Sequence, residues 1–496
     1  MKDLKERTLR GGLAKVFNQG IIFALRLGST AILARILSPQ DFGLVAMVTV
    51  VTGVYGLFTT AGLSSATVQR ATVTDEQVST LFWINIMVGA ILTLLCLVTA
   101  PFIVAFFHEP RLFRVTIALA AGFLINAAGV QHSALLQRQM RFVALTVIDT
   151  ASSVASIALG LGLAVFGAGY WALVAMTIAN PLVNTVCVWF TAKWIPGAPR
   201  RGTGIRSMLR FGGTLTLNGL VVYVGYNLEK VLLGRFWGAD ALGLYGRAYS
   251  IVNMPTENLN SAVGGITFSA LSRLQHDPWR FKSYFLKGYT LVLSMTIPIT
   301  AFSAIFADEI ILVLLGPKWQ EAAVIFRLLT PTVFIFGLIN PLGWMLVSSG
   351  LQVRSLKIAL ALAPVVIVSV ATGIPYGPRG VAFCYSAGLT LWLLPHVAWC
   401  IHGTMFSMMD LVHSLRRPFL SSLSASAVAY LFQFYCGHLL PAFTMLVLGG
   451  GILFGVYLWM LLFVMGQKQF YLDIVKGFKT PPPSEIRETD AVPADA

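Results

Sequence analysis

Long apolar runs alternate with short polar segments along almost the whole chain. A bilayer core about 30 Å thick needs roughly 20 apolar residues in one helix. Windows of this kind lie near residues 12–37, 42–63, 80–107, 112–133, 142–166, 169–191, 209–235, 241–270, 284–315, 322–348, 355–374, 379–403, 416–437 and 442–465. The pattern therefore predicts an all-α integral membrane protein with about 14 transmembrane helices. The eighth window is the weakest, because its middle is polar.

Composition supports a membrane protein and argues against a soluble one. Of the 496 residues, 56% are hydrophobic and only 11% are charged, whereas a soluble domain carries about 25% charged residues. The net charge of +15 does not indicate nucleic-acid binding, because the cations stand in short clusters between apolar runs. The five dispersed cysteines are typical of small buried side chains and predict neither a disulfide framework nor a metal site.

Lys and Arg residues are unevenly divided between the two sides of the predicted membrane. If both termini are cytoplasmic, 25 of the 35 lie in cytoplasmic segments and eight, Arg247 among them, lie on the opposite side. Arg26 and Lys230 remain inside predicted helices. Because cytoplasmic loops are enriched in Lys and Arg, this asymmetry predicts a multi-pass protein with both termini in the cytoplasm.

One short pattern occurs twice, as "ARILSPQDFGL" at residues 34–44 and as "GRFWGADALGL" at residues 234–244. The identities are Arg35 with Arg235, Gly43 with Gly243, and Leu44 with Leu244. Both segments follow a window that starts on the same side, six windows apart, so they predict a parallel repeat. The predicted units are an N-terminal lobe at 1–192, a C-terminal lobe at 193–403, an extra helix pair at 404–466 and a disordered cytoplasmic tail at 467–496.

Polar side chains inside the apolar runs predict a water-filled cavity between the lobes. A charge near the bilayer centre costs at least about 2.5–3.5 kcal/mol, so it needs water or a partner. Helical spacing places Lys15, Gln19 and Arg26 on one face of the first predicted helix. The candidate substrate-binding residues are Lys15, Gln19, Arg26, Asn126, Tyr223, Asn227, Lys230, Asn253, Glu257 and Asn260. Asp149 and Glu257 are candidates for coupling transport to a proton or Na⁺.

Other roles stay open for several of these residues. Lys15 and Lys230 are long enough to reach a membrane surface with their ammonium groups. Arg26 has a structural alternative as the partner of an acid such as Asp149. Small and hydroxyl residues near Asn126 are equally typical of helix–helix packing.

The sequence lacks the motifs of several catalytic classes. It contains no GxxxxGK[ST] phosphate loop, no HExxH and no cluster of His and Cys. The predicted loops are also too short to fold as a catalytic domain. We therefore expect a transporter that has no cofactor and no metal centre, rather than an enzyme.

The opening stretch "RGGLAKVFNQGIIFALRLGSTAILARILSPQDFGLVAMVTVV" resembles the start of the WzxC-like polysaccharide transporters. These proteins are lipid-linked oligosaccharide flippases of the multidrug/oligosaccharidyl-lipid/polysaccharide (MOP) exporter superfamily. Further similar stretches are "GLSSATVQR", "VSTLFWIN", "ALLQRQMRF", "GYWALV", "LGLYGRAY" and "GPKWQEAAVIFRLLTP". The resemblance covers roughly residues 8–465 and implies two six-helix lobes plus an extra helix pair.

The resemblance also implies a function. It implies translocation of an undecaprenyl-diphosphate-linked oligosaccharide repeat unit by alternating access, for synthesis of exopolysaccharide, capsule or lipopolysaccharide. The implied location is the bacterial cytoplasmic (inner) membrane, and the implied partners are the lipid-linked oligosaccharide, membrane lipids, a polysaccharide polymerase, and chain-length or export proteins. The alternatives are a multidrug/cation antiporter or a lipid II flippase of the same superfamily, and a membrane-embedded polymerase or glycosyltransferase.

Overall fold

The computed structural model describes residues 20, 23–59, 67–68, 73–199, 206–275 and 277–472, with only part of the side chains in 206–226 and 261–269. Lys15 and Gln19, two of the candidate residues, lie outside the described residues. Most of the predicted disordered tail lies outside them as well. Its described start contains a helical turn at 468–472, from which the Tyr471 hydroxyl contacts the Ser294 hydroxyl.

The described chain is built from α-helices. In chain order they are α1 (23–36), α2 (Pro39–Thr59), α3 (Asp75–Phe107), α4 (Leu112–Arg138), α5 (Phe142–Val165), α6 (Tyr170–Ala192), α7 (Arg206–Arg273), α8 (Pro278–Ile305), α9 (Ala307–Leu314), α10 (Gln320–Leu329), α11 (Pro331–Ser348), α12 (Gln352–Gly373), α13 (Gly377–Ile401), α14 (Met408–Cys436) and α15 (Ala442–Trp459). Helix α7 bends at Gly238, whose φ of 79° is not helical. It therefore has two arms, at 206–237 and 239–273.

Every predicted apolar window overlaps a described helix. Ten segments of the described chain, one of them the stretch Gln352–Ile401, are long and apolar enough to cross a membrane. The protein is therefore a multi-pass membrane protein, while the number of 14 crossings stays a prediction. The ninth and tenth windows are each divided into two helices. The second division falls at Pro331. Proline has no backbone N–H to donate to a carbonyl of the preceding turn, but it is well tolerated as the first residue of a new helix.

Two helical bundles meet along α2 and α7. We call α1–α6 the first bundle and α7–α13 the second bundle. In the first bundle α3 packs against α4, and α6 packs against both α4 and α5. In the second bundle α12 packs against α13, and α10 packs against α7 and α13. The predicted unit boundaries at 192/193 and 403/404 stay predictions.

The repeated sequence step forms the crossing between the bundles. A Cβ added to Gly43 would lie 1.7 Å from the carbonyl oxygen of Ala239, and one added to Gly243 would lie 1.9 Å from that of Pro39. Pro39 and Ala239 occupy equivalent positions in the repeat, so the two contacts are related by the repeat itself. Only glycine allows the backbones of α2 and the second arm of α7 to approach this closely.

The last two helices pack on the second bundle. Helix α14 contacts α8 and α15, and α15 contacts α8 and α9. The Tyr457 hydroxyl donates to the Ser294 carbonyl at 2.8 Å, and Gln433 Nε2 donates to the Ile305 carbonyl at 3.0 Å. These contacts hold α14 and α15 on the side formed by α8 and α9.

Replacing Tyr457 by Phe is expected to weaken this attachment. The change removes a buried O–H donor and leaves the Ser294 carbonyl without it, which lowers the free energy of unfolding by about 0.5–1.5 kcal/mol. Thermal unfolding of the purified protein would show a lower midpoint. The matched control is Tyr430→Phe, because Tyr430 on α14 is exposed. Equal losses for the two variants would contradict the expectation.

Candidate functional site

A large cavity lies between the two bundles. Its volume is about 1520 Å³, and its walls come from α1, α5 and α6 of the first bundle and from both arms of α7 in the second. Gln137 and Met140 are among the lining residues, so the cavity reaches the end of the molecule where α4 is joined to α5. Such a volume can enclose a polar group considerably larger than a single ion.

Three cationic side chains line this cavity. Arg26 comes from α1, Lys230 from the first arm of α7 and Arg247 from the second arm. Lys230 Nζ donates to Asn227 Oδ1 at 2.8 Å and lies 5.2 Å from the centre of the Tyr249 ring. Among the described side chains, none of the three cations has a carboxylate within ion-pair distance. Their positive charge is therefore available to an anionic ligand.

The facing wall carries mainly uncharged polar groups. Thr146, Asp149, Ser153 and Ser156 follow one face of α5, and Asn180 of α6 stands beside them in the lining. One carboxylate oxygen of Asp149 accepts a hydrogen bond from the Asn184 amide at 3.0 Å. Hydroxyl, amide and carboxylate groups of this kind are suited to the hydroxyl groups of a sugar.

A smaller cavity of about 290 Å³ adjoins the large one and shares Lys230 and Arg247 with it. Tyr223 and Asn227 line it from the first arm of α7. The Tyr223 hydroxyl donates to the Val50 carbonyl of α2 at 3.1 Å. Tyr223 thus ties the two bundles together at this level, and its side chain lines the smaller cavity rather than the large one.

The opposite end of the molecule is closed by contacts between the bundles. We call this region, around the ends of α1, α3, the first arm of α7 and α9, the closed end. Arg35 Nη2 donates to the Val313 carbonyl at 2.8 Å, and Arg235 contacts His108. Arg35 and Arg235 are equivalent in the repeat, and each reaches from its own bundle to the other.

The turn between α3 and α4 adds a charged pair at the closed end. Arg111 Nε donates to Glu109 Oε1 at 2.8 Å. The hydrogen bond from the Arg111 side chain lowers the pKa of the Glu109 carboxyl, against the smaller opposing effect of burial. Glu109 is therefore ionised at neutral pH. The turn, which also contains His108, exposes a negative carboxylate and the positive guanidinium of Arg111 to water.

Seven of the eleven residues predicted for the site line one or both of the cavities. Those in the large cavity are Arg26, Asp149, Lys230, Asn253 and Glu257. Those in the smaller cavity are Tyr223 and Asn227, together with Lys230. The lining of the two cavities does not include Asn126 or Asn260. The functional roles of all these residues stay predictions.

Helical spacing predicts Asn126 and Asn260 for the site. Their surroundings in the structure explain why they do not line the cavities. Helix α4 carries Asn126 and packs between α3 and α6, where the Thr185 hydroxyl donates to the Ile125 carbonyl at 2.9 Å. This position agrees with the helix-packing alternative that the sequence leaves open, and the role of Asn126 stays a prediction. Asn260 is exposed one turn beyond Glu257, outside the lining of the cavity.

Arg247 is the main residue that the sequence did not identify. It was counted with the cations of the side opposite the cytoplasm, yet it lines both cavities. Its guanidinium lies 4.4 Å from the centre of the Phe42 ring. The sequence does contain a signal for Arg247. Ser250, Asn253 and Glu257 lie on one helical face, and extending that face by three residues towards the N-terminus reaches Arg247.

Comparisons with known proteins identify the family of the chain. A family model described as "Polysaccharide biosynthesis protein" matches residues 32–324. The teichuronic acid biosynthesis protein TuaB of Bacillus subtilis (strain 168) is 31% identical over 58% of this chain and 60% of TuaB. The lipopolysaccharide biosynthesis protein WzxC of Escherichia coli (strain K12) is 25% identical over 70% of this chain and 71% of WzxC. The aligned region thus spans less than two thirds of TuaB.

A solved structure shares the fold over nearly the full chain. The structure titled "Lipid II flippase MurJ, inward closed conformation" covers 94% of this chain and 100% of its own, with a TM-score of 0.75 and 16% identity. At that identity the likeness shows the fold alone. It confirms the predicted fold class, an all-α membrane protein of two helical bundles with an additional helix pair.

Proposed function

The chain belongs to the family of polysaccharide biosynthesis proteins, and we propose that it translocates an undecaprenyl-diphosphate-linked oligosaccharide repeat unit across the bacterial cytoplasmic membrane. The movement is alternating access, in which the cavity between the bundles opens first to one side and then to the other. The product serves the synthesis of exopolysaccharide, capsule or lipopolysaccharide.

The observation that carries the proposal is the set of unpaired cations in the large cavity. A diphosphate is far too costly to move through hydrocarbon without partners, because ionised groups lose their hydration there. Arg26, Lys230 and Arg247 supply positive charge from both bundles. Arg is suited to this role because its planar guanidinium can bind two phosphate oxygens at once.

The remaining parts of the substrate fit the other surfaces. The sugar units lie against the polar wall of α5 and α6, whose Thr146, Ser153 and Asn180 offer hydroxyl and amide groups. The lipid tail stays in the membrane, along the outer surface of α14 and α15. Phe434, Tyr435, Phe443 and Leu448 are exposed there, as expected for helices in contact with acyl chains. Asp149 or Glu257 couples the movement to a proton or Na⁺.

The proposed function also includes the class of the protein and its orientation in the membrane. The protein acts as a transporter and not as an enzyme, so no bond of the substrate is made or broken in the cavity. Both termini lie in the cytoplasm, as the distribution of Lys and Arg predicts. The closed end then faces away from the cytoplasm, and the α4–α5 turn faces the cytoplasm. A polymerase and chain-length or export proteins receive the translocated unit.

A deletion strain tests the proposal directly. We expect an undecaprenyl-diphosphate-linked oligosaccharide to accumulate, with its sugar on the cytoplasmic side, and the intact gene to restore its export. Accumulation of lipid II would instead indicate a lipid II flippase. Unchanged lipid intermediates with increased sensitivity to cationic drugs would indicate an antiporter, and a translocated but unpolymerised unit would indicate a polymerase.

A further inference from the structure

Trp319 is inserted between the two bundles at the closed end. It ends the short turn Pro317–Trp319 that leads into α10, and its side chain is fully buried. Its indole Nε1 donates to the carbonyl of Ala34 in α1 at 2.8 Å. Opening the closed end must separate α1 from this turn, so it must break the hydrogen bond and expose the indole.

Phe42 connects Trp319 to the cavity. The edge of one ring meets the other with centres 5.4 Å apart and planes at 71°, a favourable aromatic geometry. The same Phe42 ring lies 4.4 Å from the guanidinium carbon of Arg247, within the range of a cation–π contact. A single buried ring of α2 therefore contacts both the closed end and a cation of the cavity.

An anionic ligand competes with Phe42 for Arg247. Among the described side chains, Arg247 has no carboxylate within ion-pair distance, so the aromatic ring is its charge-stabilising neighbour. Phosphate oxygens form charge-assisted hydrogen bonds with guanidinium that are stronger than a contact with an aromatic face. A diphosphate that pulls Arg247 further into the cavity takes it away from the Phe42 ring and leaves Phe42 less constrained against Trp319.

We propose that Phe42 and Trp319 are positioning residues through which a diphosphate bound at Arg247 loosens the closed end of the protein. The inference rests on the proposed function for its ligand. Its test reads the opening of the closed end rather than transport, so the two can fail separately.

The reporter is a thiol at the helix crossing. Ala239→Cys is introduced into the full chain after the five native cysteines are replaced, and the protein is reconstituted in nanodiscs, where both faces are accessible. Ala239 is 8% exposed, so the rate of maleimide labelling reports how often the closed end opens. Retained export by this background shows that the reporter does not itself disturb the crossing.

Trp319→Phe is the first variant, because it keeps an aromatic ring and removes the N–H donor. We expect labelling to become about three- to ten-fold faster, as the loss of one hydrogen bond predicts. The matched control is Trp189→Phe. Trp189 also donates through Nε1 to a carbonyl at 2.8 Å, that of Ala128, but within the first bundle. Unchanged labelling in Trp319→Phe, or equal acceleration in both variants, would overturn the proposal.

Undecaprenyl diphosphate is the probe for the link to the cavity. It should accelerate labelling of the otherwise unmodified reporter protein, and Phe42→Leu should reduce this acceleration at least about five-fold while Phe42→Tyr preserves it. Thermal unfolding identifies variants that fail to fold, and Phe42→Met, which also removes the aromatic ring, replaces Phe42→Leu if that variant fails. If the probe binds without accelerating labelling, or if Phe42→Leu responds fully, the link is wrong. If the probe does not bind at all, the proposed function fails instead.

Discussion

Replacement of Arg247 by Gln is expected to reduce export of the lipid-linked unit about a hundred-fold or more, with an unchanged amount of folded protein in the membrane. In the proposed function, the guanidinium of Arg247 supplies a planar pair of donors to the diphosphate. Hydrogen bonds to charged groups contribute about 1.5–3 kcal/mol each, so two lost bonds amount to at least about 3 kcal/mol. Each 1.4 kcal/mol, approximately, is a factor of ten in rate. Pulse labelling of the lipid-linked intermediate and immunoblotting of the membranes measure both quantities.

Companion variants separate charge from geometry. Arg247→Lys keeps the charge but loses the planar fork, so we expect intermediate export. Arg26→Ala and Arg26→Glu should also abolish export. The matched control is Arg327→Gln, since Arg327 forms an exposed pair with Asp308 outside both cavities, and exposed pairs contribute little to stability. Normal export by Arg247→Gln would remove this residue from the binding site.

Hydropathy predicted the helices well, because the backbone N–H and C=O groups of an apolar run in a membrane must form their hydrogen bonds within the run's own helix. It could not predict the divisions within two of the runs. The division at Phe306, between α8 and α9, and the helix start at Pro331 depend on tertiary contacts as much as on composition. Their consequence is functional, because the turn between α9 and α10 carries Trp319 into the closed end.

Periodicity predicted which face of a helix is polar, and the structure decided what that face meets. Arg26, Lys230 and Glu257 stand out in the sequence because a charge within hydrocarbon needs a specific setting, and all three line the large cavity. Asn126 has no such demand, and its helix packs between two neighbours of the same bundle. A neutral amide serves helix packing and ligand binding equally well, so spacing alone could not separate the two.

Arg247 was missed for a related reason. The predicted window began at residue 241, so Arg247 counted as a residue of the helix end, where cations are common. In the structure α7 bends at Gly238, and Arg247 lies more than two turns into the second arm. The position of a helix relative to its partner bundle sets this depth, and a single sequence carries little information about it.

The repeat identified from the sequence predicts the second large effect. Gly43→Ala is expected to prevent formation of the closed end and to abolish export. The added Cβ would lie 1.7 Å from the Ala239 carbonyl oxygen, and because the obstacle is backbone, the clash is relieved only when α2 and α7 separate. Overpacking against backbone lies at the upper end of the usual range, about 3 kcal/mol, which shifts the balance between closed and open ends about a hundred-fold. Labelling of the reporter thiol at position 239 should then approach the rate of an exposed cysteine.

Gly162→Ala is the matched control, because a Cβ added to this helical glycine meets nothing within 4 Å and alanine favours the helix. Slow labelling in Gly43→Ala would show that the two bundles do not meet at these glycines.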